Sequence, residues 1–211
     1  MPALAGKKGR VYGATSQTPT PLVDEPMTAN GDRTQYTVTN SAKRYLDPLT
    51  AVSLQSSPDG VSVTWNPVQP NKFQYAGGVA VFDPGLAVGT QVRIASGAYY
   101  PVAPIAECKS WSIDVSVDLE DSTALGSDWK QYTPVMSGWE GSLERFHQDS
   151  YFMDRIVAGL PVLLVLYVNE PGGLRYEGYA NIAGLGTSVE ATALVEDSVD
   201  VTGEGELYPR L

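Results

Sequence analysis

Trp111-Ser112-Ile113-Asp114-Val115-Ser116-Val117-Asp118-Leu119 is the stretch on which the fold turns. Apolar and polar side chains alternate without a break. Successive side chains of a strand point to opposite faces of a sheet, so Trp111, Ile113, Val115, Val117 and Leu119 share one face. Ser112, Asp114, Ser116 and Asp118 share the other. Such a strand sets one face on a core and the other on water or a channel. Trp111, Ile113 and Val115 are therefore candidate core residues.

The same period recurs downstream in Gly138–Phe146, where Trp139, a further core candidate, and Leu143 oppose Glu140, Ser142 and Glu144. It returns less cleanly over 187–194 and 197–202. Upstream, residues 36–39, 49–54, 61–65, 79–82 and 90–94 are short β-like runs divided by Gly and Pro. Ser57-Pro58-Asp59-Gly60 predicts a turn joining 49–54 to 61–65 as a hairpin. One helix is expected after Asp149 or Ser150, with Phe152, Ile156 and Val157 as its apolar stripe and Gly159 and Pro161 as its stop. A second helical turn is expected at Ser127–Lys130. The run from Leu160 to Val168 is apolar throughout and reads as a strand buried on both faces. The fold class is thus mainly β, a β-sandwich or split barrel with one short flanking α-helix.

Residues 1–33 carry several prolines and small polar residues and are expected to form an extended arm, because so few apolar side chains cannot offset the ordering entropy. Residues 34–211 are expected to form a single β domain, with additional strands and hairpins in 34–104.

With 211 residues, the chain is long enough to bury its own core without disulfides or metal. It carries 14 Lys and Arg against 24 Asp and Glu, a formal charge of −10. That balance argues against functions that grip a phosphate backbone, which depend on cationic contacts. The one cysteine, Cys108, cannot bridge internally and reads as a small packing residue. No apolar stretch follows the basic start, so no secretory signal is expected, and the apolar run at 160–168 is too short to cross a bilayer as a helix.

Catalytic signals are sparse. His147 is the sole histidine and reads as a surface or packing residue. No nucleophile elbow and no phosphate-binding loop occurs. The carboxylate pairs Glu140 with Glu144 and Asp114 with Asp118 have the residue types of a glycosidase acid and base, yet they equally describe a solvated acidic strand face. Asp118, Glu120 and Asp121 lack the glycine-bearing loop of a calcium site. A carboxylate hydrolase and a carbohydrate- or receptor-binding β-sandwich, the latter drawn from the Trp and Tyr content, stand as alternatives.

Order and small motifs in the second half carry a resemblance. After the 111–119 strand come Asp121-Ser122-Thr123, Gly126-Ser127-Asp128-Trp129-Lys130-Gln131-Tyr132 and Ser137-Gly138-Trp139-Glu140-Gly141-Ser142-Leu143-Glu144. Then follow Arg175-Tyr176-Glu177-Gly178-Tyr179-Ala180 and Thr202-Gly203-Glu204-Gly205-Glu206-Leu207. Residues 105–207 resemble the major tail (tail tube) proteins of tailed bacteriophages, relatives of type VI secretion and contractile-injection tubes. The sequence departs in having Ser122 where that pattern has Val, and in carrying residues 34–104 ahead of the match.

The resemblance implies a non-enzymatic structural subunit without cofactor or metal. Six copies would close into a ring, and rings would stack into a tube that conducts DNA during genome ejection. The implied partners are further copies of the chain and tape-measure, tail-terminator and baseplate or tip proteins. The implied location is the virion tail, assembled in the host cytoplasm. An acidic wall would repel DNA in transit, so Asp114, Asp118, Glu140, Glu144 and Glu190 are the candidate lumen-facing residues. Leu119, Glu120, Asp121, Ser122 and Thr123, together with the N-terminal arm, are the candidates for crossing to the next ring.

Overall fold

The computed structural model describes residues 9–58, 64–105, 108–125, 128–147, 149–170, 173–191 and 194–210. It is mainly β with one short α-helix among the described residues, in line with the class read from the sequence. Contacts cluster into two compact units: Gly13–Ala103 forms one, and the described residues on either side of it form the other. Each unit has a seven-stranded sheet whose pairings are antiparallel.

The segment expected to be an arm instead supplies two strands, β1 (Arg10–Ala14) and β2 (Thr20–Ala29). Its pattern is obscured at Asp24, which holds a left-handed φ of 51°. The backbone turns there without adding a residue to the β2–β8 register, and Leu22 and Met27 both reach the core although they are an odd number of positions apart.

In the Gly13–Ala103 unit, β2 lies between β3 (Gln35–Val38) and β8 (Gln91–Tyr99). The strand β4 (Ser53–Ser57) pairs with β5 (Asn66–Val68). Asp59, Gly60 and residues 61–63 of the expected hairpin lie outside the described residues. Beyond β3 come β7 (Val79–Val81) and β6 (Lys72–Gln74). Tyr36, Val38, Leu46, Leu54, Phe82, Val92 and Ile94 form its core.

The other unit runs in the order β10 (Cys108–Asp121), β11 (Tyr132–Phe146), β14 (Glu196–Arg210), β13 (Leu174–Ser188), β12 (Val162–Asn169), β1 and β9 (Val102–Pro104). The strand β12 is buried from Val162 to Leu166, as its unbroken apolar run requires. The helix α1 spans Tyr151–Ala158, and Gly159 ends it in the left-handed conformation, its N–H reaching the carbonyls of Arg155 and Ile156. Its buried side chains are Phe152 and Arg155; Ile156 and Val157 face outward, with Val157 81% exposed, so the expected stripe is corrected at two of three positions. Asp128 and Trp129 form a bend rather than a helical turn, and Ser127 lies outside the described residues. Trp139, Leu143, Phe152, Val162, Leu164, Val199 and Val201 build the core, and Trp111 and Ile113 pack partly buried against it.

Candidate assembly surface

The strand β11 pairs with β10 along nearly its whole length, from Tyr132 to Arg145. It pairs with β14 only from Glu140 to Phe146. Outward from Val115 and Trp139, β10 and β11 therefore leave the sheet as a two-stranded ribbon. This corrects one core candidate: Val115 is 64% exposed, and its partner Trp139 lies just beyond the last pairing of β11 with β14. Val117, Leu119, Tyr132, Val135 and Met136 are exposed along the same ribbon, and Leu125 and Trp129 at its tip. Isolated two-stranded ribbons are marginal in water. An apolar patch of this kind marks an interaction surface, and strand edges without partners are templates for further pairing.

Leu119, Glu120 and Asp121, expected in a loop, are paired strand residues opposite Pro134, Thr133 and Tyr132. Only Ser122 and Thr123 lie past the strand. The tip is closed by ordered bonds: Ser122 N donates to Gln131 O at 2.8 Å, and Gln131 N donates to Thr123 Oγ1 at 2.9 Å. The Asp121 carboxylate accepts from the hydroxyl and the backbone N–H of Thr123, which holds its pKa below the usual carboxylate value.

One face of the β10–β11–β14 sheet is acidic and exposed. Asp114 stands opposite Glu140, which stands opposite Thr202; Ser110, Glu144 and Ser198 form a second row, and Ser112, Ser142 and Asp200 a third. Ser110 Oγ donates to Glu144 Oε2 at 2.9 Å, and the Ser112 and Ser142 hydroxyls are 2.9 Å apart. Asp118 lies further out, opposite Met136 on the ribbon. The structure thus brings Asp114, Glu140 and Glu144 to one face and leaves Asp118 on the ribbon. Glu190 follows the end of β13, outside any strand. Asp200 joins the face and was missed; its alternation with the buried Val199 and Val201 was the available signal.

The base of the ribbon is rigidly held. The Trp139 side chain lies across Gly203 and Gly178, and its Nε1–H donates to Gly205 O at 3.1 Å. Nearby, the buried Arg145 binds Asp197 and Asp149 at 3.1 and 3.0 Å. Asp197 also accepts from Thr187 Oγ1 at 2.8 Å and lies 3.0 Å from His147 Nδ1. Burial alone would raise the Asp197 pKa, but bonding to Thr187 and His147 and the charges of His147 and Arg145 outweigh it, and the net direction is downward. At the far end of β13, the buried Glu177 is held between Arg175 and Arg210 at 2.7 and 3.1 Å.

Burial pushes the Cys108 thiol up to about 11, which keeps it protonated and poorly nucleophilic at neutral pH. Among the described residues, no three His, Cys, Asp or Glu side chains are grouped to hold a metal ion, and no helix is long and apolar enough to cross a membrane.

No family model matches the chain, and no curated protein does. Among solved structures, it is similar to a chain of the "Virion of native gene transfer agent (GTA) particle", at 14% identity and a TM-score of 0.46, over 52% of this chain and 89% of that one. It is likewise similar to a chain of the "Tail of empty GTA particle computed with helical refinement, C6 symmetry", at 14% identity and a TM-score of 0.46, over 53% of this chain and 87% of that one.

Proposed function

We propose that this chain is a structural subunit of a phage-type tail tube, polymerising as stacked hexameric rings around an acidic lumen that conducts DNA. The observation that carries the reading is the β10–β11 ribbon, which leaves its sheet with apolar side chains exposed and strand edges open. An exposed apolar surface beside open strand edges suits a brick that joins further copies. Contacts that close by rotation make rings, and contacts that do not close make filaments.

In this reading the face bearing Asp114, Glu140, Glu144 and Asp200 lines the lumen, with Asp118 nearer the ring boundary and Glu190 at the opposite strand end. Leu119–Thr123 and the neighbouring tip residues cross between rings. DNA, with about one charge per 1.7 Å of axis, would be repelled by that wall and pass without binding. The assembled tube would sit in the virion tail and meet tape-measure, terminator and baseplate or tip proteins at its bore and ends.

Electron microscopy of the purified full chain over a rising concentration series tests the reading. Rings or hollow tubes are the expected result. Particles that remain single at every concentration would overturn it.

A further inference from the structure

The sheet of the second unit curls so that the start of β10 comes round toward β1 and the end of β12. A cleft of about 320 Å³ lies along that seam. Its charged lining side chains are Arg10 and Lys109, both basic, and Trp111, Tyr167 and Val168 give it an apolar floor. Arg10 is bound on one side by Glu170 at 2.7 Å and Lys109 by Glu196 at 2.6 Å, yet both cations remain well exposed to solvent. Because β10 is the last strand of its sheet, its outer backbone edge at Cys108–Trp111 opens along the same seam.

The ribbon has the opposite character. Asp118, Glu120, Asp121 and Asp128 surround the exposed Val117, Leu119 and Tyr132, with Lys130 as the basic residue among them. An extended acidic strand with apolar side chains and a free edge is what a basic, aromatic-floored cleft beside another free edge can accept. Main-chain pairing would supply affinity, and the charges would set register.

We propose that the seam cleft at Arg10, Lys109 and Trp111 is the receptor for the β10–β11 ribbon tip of a second copy of this chain. This rests on the assembly reading above and names which surface the ribbon meets. The contact is heterologous, cleft to tip, so each copy offers both halves and the chain of contacts stays open for growth.

The test uses Ser110, an exposed residue that lines the cleft, in a Cys108→Ser background that removes the chain's own single cysteine. In the full chain carrying Cys108→Ser, Ser110→Cys and Glu120→Cys, copper-catalysed oxidation of polymerised material should give a ladder of disulfide-linked copies on a non-reducing gel. Thr28→Cys, in the other unit, should give none. Separately, the pair Arg10→Glu and Lys109→Glu should raise the concentration needed for polymerisation about tenfold or more, and adding Glu120→Lys and Asp128→Lys, which spare the tip-closing Asp121, should restore it.

A ladder together with charge-swap rescue supports the contact. Equal cross-linking from Thr28→Cys, or unaltered polymerisation of the Arg10→Glu/Lys109→Glu variant, overturns it while leaving the assembly reading standing. A wild-type chain that never polymerises overturns the assembly reading itself, and this contact with it.

Discussion

A Cβ placed on Gly203 would stand 2.2 Å from Trp139 Nε1, so the indole occupies the space that any other residue at 203 would need. Two strands, β11 and β14, are thereby locked together at the point where they part. Gly203→Ala should force the ring off its seat and cost about 1–3 kcal/mol, the usual range for overpacking. Trp139→Ala, which empties the same space, should cost about 3–5 kcal/mol. Urea unfolding of both variants beside the wild type measures the differences.

The ribbon makes the contrary prediction. Val117→Lys with Val135→Lys alters exposed positions, so the unfolding free energy should stay within about 0.5 kcal/mol of wild type. Polymerisation, followed by light scattering and microscopy, should nonetheless be lost. A fall in stability of several kcal/mol would show instead that the ribbon belongs to the fold.

Asp197 gives the fold a one-sided pH dependence. Its pKa lies lower in the folded chain than in the unfolded one, so its contribution is complete above about pH 4, the ordinary carboxylate value, and is lost as the pH falls through the folded value. Urea midpoints taken from pH 7 downward should show an acid loss that is shallower in Asp197→Asn, beginning from a lower plateau.

The buried carboxylate Glu177 and the exposed Glu196 should behave very differently. Glu177→Ala leaves Arg175 and Arg210 without the charge between them and should cost about 3–5 kcal/mol. Glu196→Ala opens the Lys109 pair at the surface and should cost less than about 1 kcal/mol. Thermal or urea unfolding of the two variants tests the contrast.

The acidic face can be inverted without touching the core. Asp114→Lys with Glu140→Lys should leave tubes forming, because both side chains are exposed on the polar side of the sheet. Such tubes should retain DNA at low salt and release it as salt rises, where wild-type tubes retain none. Filter retention against salt concentration reads the outcome.

Much of the fold was legible because it follows from short-range pattern. The 111–119 alternation, the apolar run ending in β12 and the Gly159 helix stop each depend on residues close in sequence. The strand β2 was hidden by the left-handed backbone at Asp24, where the alternation that reveals strands changes phase. The helix misled for another reason: Ile156 and Val157 are apolar, yet Arg155, whose long stem and charge gave no such cue, took the buried position. At Val115 the alternation was real and the conclusion failed. Periodicity says that a face is apolar, not whether the chain itself covers it.

The separation of β11 from β14 over the residues before Glu140 has a kinetic corollary. An element that stays sticky in the finished monomer sets a ceiling on how much of the chain can stay dispersed. Growth from a seed would then be quick and the first nucleus slow, giving a lag that preformed fragments abolish.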